Sequence, residues 1–316
     1  MRVILDVYSG RPNPTFTLSQ DQAREVLRTI EANRSLMSEG QGVPGRLGLR
    51  GLIIEPPRAL RQDLPARFRI PAPDGPGAGK AAELIQDIVA RANDVQPRQP
   101  AGARPSGLDY SRMDLAGLVR RELDRLSRRP PRHEGGAGRG GVIGHMPPAP
   151  VLGTDAAGTQ TIAAGGCQAE VTPLNLAFWN VAPVQEHNNC YNYATNRRTD
   201  TFAQPGRAAG AEYHVHTCAD VTAAATADGA VFVPHCAPDG QAPRWHMALV
   251  IWPDPDGDFH WYREAQGGVW GHKPGEDAAT DLDAAGHVIH DPQTADRGPY
   301  TDFCSYCFAP SGMGIA

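Results

Sequence analysis

Between Arg129 and Gly165 the chain offers almost nothing from which a core can be built. Arg129-Pro130-Pro131-Arg132, Gly135-Gly136-Ala137-Gly138 and Pro147-Pro148-Ala149-Pro150 follow one another there with few apolar anchors. Such a stretch cannot offset its own ordering entropy and reads as an extended or disordered linker. It divides the 316 residues into a small module at 1–128, a Gly/Pro-rich linker at 129–165 and a second domain at 166–316. Both flanking parts are long enough to bury a core. Shorter stretches at 72–79 and 96–107 are loop-like for the same reason.

The first module reads as α/β. Met1 to Tyr8 alternates as a strand, Ser9-Gly10-Arg11-Pro12-Asn13-Pro14 is a turn, and Thr15 to Leu18 returns. Ser19 can cap a helix over Gln20 to Ala32, because Ala23, Val26, Leu27 and Ile30 then share one side. Arg50 to Ile54 is a further strand, with helices near Ala81–Ala92 and Asp114–Leu126. Asp74-Gly75-Pro76-Gly77-Ala78-Gly79-Lys80-Ala81 imitates a phosphate loop, but Asp74 and Ala81 stand where Gly and Ser or Thr are needed.

A net charge of −5 with no basic stripe argues against nucleic acid as a partner. The arginines from Arg120 to Arg132 read as an exposed helix face and its exit. Met1 to Tyr8 is too short and too soon charged for a secretory signal, and no apolar run approaches membrane-spanning length. The expectation is a cytoplasmic protein, with non-classical export left open.

The chemistry concentrates in the second half. In Gln185-Glu186-His187-Asn188-Asn189-Cys190-Tyr191, either asparagine can cap a helix that Cys190 opens. Aligned peptide dipoles there favour a thiolate, the reactive form. Downstream, Arg244 to Trp252 reads as a strand, Pro253 to Asp258 as a turn, and Phe259 to Glu264 as the returning strand. His246 begins that hairpin as the candidate base. A turn near Pro255-Asp256 pairs His260 with a residue around Val250 or Ile251 and brings Glu264 nearer to His246, so either residue can orient the ring. Gly267 to Gly275 is a Gly-rich loop in which Trp270 and His272 can wall a pocket.

A helix-borne Cys190, a strand-borne His246 and a polar residue on the next strand resemble the papain-like superfamily, including NlpC/P60-type and amidase-type cell-wall hydrolases. The resemblance covers the last half of the chain and implies an α+β fold with a papain-like C-terminal domain. It implies a thiol hydrolase, a cysteine peptidase or amidase without cofactor, that cleaves an amide in a peptide or peptidoglycan-like substrate. Cys190 would attack, His246 would carry the proton, and His260 would match the second histidine of the NlpC/P60 type. Gln185 would serve as oxyanion donor; its distance to Cys190 is one residue short of the papain pattern, so Asn188 or Asn189 is the substitute. The run from Asn188 to Arg207 also resembles a mainly bacterial family with no assigned activity.

A different constellation competes. His214, His216 and Cys218, then Cys236, then Cys304 and Cys307 can supply tetrahedral zinc ligands, or pair as disulfides. Thr217 and Asp220 account for part of that cluster as a capping pair for a helix from Ala219. Cys218, beside the same cap, is the reserve nucleophile. The alternative functions are therefore a zinc- or disulfide-stabilised binding module and an inactive papain-like scaffold with a structural role. Asp281 to Gly286 lacks the spacing and closing Glu of a calcium loop.

Overall fold

The computed structural model describes residues 1–129 apart from 41, 62, 76–78, 94 and 98–109, and then 153 and 155–316. Most of the Gly/Pro-rich run thus lies outside the described residues. Its end does not: Gln160–Ala164 is a strand, so the expected linker boundary at 165 comes too late.

The N-terminal module is a five-stranded sheet of β1 (Arg2–Asp6), β2 (Pro14–Thr17), β3 (Gly51–Glu55), β4 (Phe68–Pro71) and β5 (Val95–Pro97), in the order β4-β3-β1-β2-β5. Every pairing is antiparallel, which makes the module α+β rather than the expected α/β. Three helices accompany it: α1 (Gln20–Ala32), α2 (Gly79–Ala90) and α3 (Leu115–Ser127). Ser19 and Gln22 close a reciprocal capping box that fixes the start of α1, and Ala23, Val26, Leu27 and Ile30 form its buried stripe.

The second sheet contains β6 (Gln160–Ala164), β7 (Cys167–Val171), β8 (Val231–Phe232), β9 (Trp245–Trp252), β10 (Asp258–Ala265), β11 (Val269–His272) and β12 (Asp302–Ala309). Its main path is β11-β10-β9-β12-β8, with β7 joined to β9 at its edge and β6 beyond. Helices α4 (Leu176–Trp179), α5 (Val184–His187), α6 (Cys190–Ala194) and α7 (Cys218–Asp228) fill the connections.

All eight residues of β9 are buried, because both of its faces are covered. Alternation sends Trp245, Met247, Leu249 and Ile251 into a cluster with Cys190, Tyr191 and Val221. Ala248, Val250 and Trp252 go to the other face, where they share a core with Tyr8, Tyr110 and the N-terminal helices. One hydrophobic cluster therefore runs across both halves of the chain.

Candidate functional site

The first residue of α6 is Cys190, and Asn189 caps it. Asn189 Oδ1 accepts from the N–H groups of Tyr191 and Asn192 at 3.0 and 3.1 Å, and Asn192 Oδ1 accepts from Asn189 N at 3.1 Å. The local geometry expected of a nucleophile is present, but its surroundings are not. Cys190 is fully buried among Tyr191, Ala203, Met247, Leu249, Phe259 and Trp261. Burial pushes its thiol well above the ordinary range, and the charge of Asp258 adds to the shift. A thiolate is disfavoured where the sequence led one to expect it.

His246 faces the other way. It is an even-numbered residue of β9, on the face of Ala248 and Val250, whereas Cys190 packs against the odd-numbered residues. The sheet itself separates thiol from imidazole, and this removes the expected Cys190–His246 dyad. The register sets Arg263 opposite Met247, which leaves Glu264 across from His246, with Nδ1 2.7 Å from Oε2. The imidazole is enclosed by Trp270, Tyr306 and Phe308.

The remaining candidates are structural. His260, paired with Val250, sends Nε2 to within 2.8 Å of His272 Nδ1, and His272 Nε2 donates to Leu282 O at 2.8 Å. One nitrogen of the shared contact must be unprotonated, and burial, which disfavours the charge on each ring, leaves both neutral with His260 as donor to His272. Gln185 Nε2 donates to Glu276 O at 3.1 Å. Asn188 is spent on Val184 O, Asp200 and the N–H groups of Thr199 and Asp200. Asn189 Nδ2 donates to Gly10 O and Ala203 O. These amides are committed to the fold, and Trp270 lies against His246 and Tyr306 as packing.

Burial places the pKa of His260 well below its ordinary value and that of His272 at about 4, the neighbouring imidazole adding to the first shift. The unfolded chain then binds more protons than the folded one below pH ~6.5, so stability falls as pH drops through that value and on toward 4. The slope reaches about 1.4 kcal/mol per pH unit for each histidine. In urea unfolding from pH 7 to 4.5, the difference between the wild type and His272→Asn should show a slope shallower by about one proton in the variant. Parallel curves would mean that His272 is charged in the folded state.

The cysteines take the second option that the sequence left open. Cys167 bonds to Cys236 and Cys218 to Cys304, with Cα separations of 5.4 and 5.3 Å. These bonds consume Cys218, Cys236 and Cys304, so the zinc set of His214, His216, Cys218, Cys236, Cys304 and Cys307 is not assembled. Cys304 and Cys307 lie on a strand, β12, and not on a metal-binding turn. No group of three or more metal-ligating side chains occurs among the described residues. Cys218 cannot be a reserve nucleophile. Cys307 is free and, like Cys190, buried.

A carboxylate that no motif or spacing singles out holds the two halves together. Asp258 is fully buried and accepts from the N–H groups of Ser9, Gly10 and Arg11 at 2.6, 2.9 and 3.1 Å and from Tyr300 Oη at 2.7 Å. Gly10 O in turn accepts from Asn189 Nδ2 and Gln204 Nε2 at 2.6 and 2.8 Å. A Cβ on Gly10 would come 2.3 Å from the Phe259 ring, so only glycine fits there. Nearby, Arg50 and Arg69 each bridge Asp6 of β1 to Asp277 beyond β11. Asn189, the cap beside Cys190, thus anchors the N-terminal turn.

No family model and no solved structure matches the chain. Insoluble matrix shell protein 1 of the mollusc Ruditapes philippinarum is 45% identical over 144 residues, spanning 46% of this chain and 92% of that protein. The chain belongs to the family of insoluble matrix shell protein 1. This relationship overturns the expected membership of a papain-like or mainly bacterial hydrolase family, and with it the description as a cysteine peptidase. It also overturns the cytoplasmic expectation, since the relative is named as a protein of the shell matrix, a material outside cells. Among the described residues no helix is long and apolar enough to cross a membrane.

Proposed function

We propose that the protein is a disulfide-braced structural component of an extracellular matrix, a scaffold that works by holding its shape rather than by turnover. The observation that carries this reading is the position of Cys190, sealed in the core on the face of β9 opposite His246. With thiol and imidazole separated by a sheet, general-base activation of the sulfur has no route. Two further features support it. The disulfides suit an oxidising compartment. The relative's name places it in an insoluble matrix.

The test is fractionation of the producing organism, followed by peptide mapping after alkylation without reduction. The expected result is recovery outside the cell, with Cys167 linked to Cys236 and Cys218 linked to Cys304. Recovery in the cytosol with six free thiols would overturn the proposal.

A further inference from the structure

The turn that docks on Asp258 carries a buried cation that no carboxylate meets at ion-pair distance among the described residues. Arg11 is 4% exposed, and its guanidinium lies over the rings of Tyr8 and Tyr110, 4.4 and 4.6 Å from their centroids. Nε donates to Tyr110 Oη at 3.0 Å, and Nη1 donates to Gly257 O at 2.8 Å and lies 3.5 Å from His216 Nε2. Among the described residues Nη2 has no hydrogen-bond partner, and no carboxylate stands within ion-pair distance of the group. The buried guanidiniums of Arg46, Arg50 and Arg244 each meet a carboxylate, whereas Arg263, like Arg11, rests on aromatic rings, those of Tyr193 and Trp245. Asp256 and Asp258 act on Arg11 only through space, so its outer edge, toward Nη2, is left for a ligand to meet.

Arg11 borders a cleft of about 450 Å³ that gives an anion room to do so. Exposed Arg112 lines the same cleft with His214, His216 and Thr217. Its two acids, Asp254 and Asp256, share Arg121 at 3.1 and 3.5 Å. Arg121, outside the lining, thus engages both acids, while Arg11 and Arg112 border the cleft itself.

We propose that this cleft binds an oxyanion group, a carboxylate, sulfate or phosphate, held by the free edge of Arg11 and by Arg112. With Nε and Nη1 engaged, a guanidinium held over two ring faces presents the N–H groups of Nη2 as a fixed, charge-assisted donor to an oxygen of such a group. The group belongs either to a small anion or to an acidic polymer. This binding role is independent of the matrix reading, since the cleft would serve a secreted scaffold or any other protein.

The experiment titrates the full, disulfide-intact chain with sodium sulfate, phosphate and acetate at ionic strength held constant with chloride. The His216 ring signals in NMR report occupancy of the cleft. Saturable binding is expected for at least one oxyanion, weakened about threefold to tenfold by Arg112→Gln and at least about tenfold by Arg11→Lys. Arg112 is exposed, so its variant tests the site even where Arg11→Lys disturbs the fold. Polyaspartate competing with the small anion, at higher apparent affinity, would assign the group to a polymer; binding of the small anion alone would assign it to a free ligand. Shifts that chloride reproduces, or that do not saturate, would mean an ion-strength effect only and overturn the proposal. So would affinities unchanged in both variants.

Discussion

Asp258→Ala is expected to lower the unfolding free energy by about 3–5 kcal/mol, among the largest single-residue losses in the molecule. The substitution removes the one acceptor that the described residues give the amides of Ser9, Gly10 and Arg11, and leaves Tyr300 Oη only the longer contact to Ser9 Oγ at 3.2 Å. The three amides are buried, and each one orphaned costs on the order of 1–3 kcal/mol, offset in part by water entering the space. Burial pushes the Asp258 pKa up, while the N–H of Gly10 and the Tyr300 hydroxyl hold it back. Asp258→Asn should be intermediate, because an amide keeps one oxygen for the turn but turns its NH2 toward donors. Urea unfolding of the oxidised protein measures both. A loss below about 1 kcal/mol for the alanine variant would show that the N-terminal turn is anchored elsewhere.

The second large effect belongs to the disulfides. Cys167–Cys236 spans 69 positions and Cys218–Cys304 spans 86, so each closes a long loop in the unfolded chain. The chain-entropy account assigns about 4 kcal/mol to each. Cys218–Cys304 ties the first residue of α7 to β12 beside the cluster that holds Cys190, while Cys167–Cys236 ties β7 to the segment after β8. Replacing either pair by alanines should lower stability by about 2–5 kcal/mol, and replacing both should leave little folded protein at 37 °C. A melting temperature indifferent to reductant would contradict this.

Much of the scaffold was legible in the sequence because it rests on local rules. Ser19 with Gln22, the apolar stripe from Ala23 to Ile30, and the hairpin turned by Pro253 to Asp258 are short-range patterns, and each appears where its pattern lies. The Asn189 cap at Cys190 is equally local. What the sequence could not convey is which face of β9 receives which partner. A sulfur on a capped helix looks the same in a cleft and in a core, and only the packing of α6 on the odd-numbered residues of β9 decides between them. Likewise, Asp258 lies some 250 positions from the amides it binds, too far for any spacing rule to join them. The Cys-x-x-Cys run from Cys304 to Cys307 fits a metal-binding turn and a C-terminal strand alike, and the structure takes the strand.

The most direct test of the account is a count of reactive thiols by iodoacetamide and mass spectrometry. The folded, oxidised protein should label at no cysteine within minutes at neutral pH. Unfolding without reduction should expose Cys190 and Cys307 alone, and reduction should then add the other four of the six. Fast labelling of Cys190 in the folded protein, with a pH midpoint below that of a free cysteine, would contradict the account, because it requires an accessible thiolate where the structure places a sealed core.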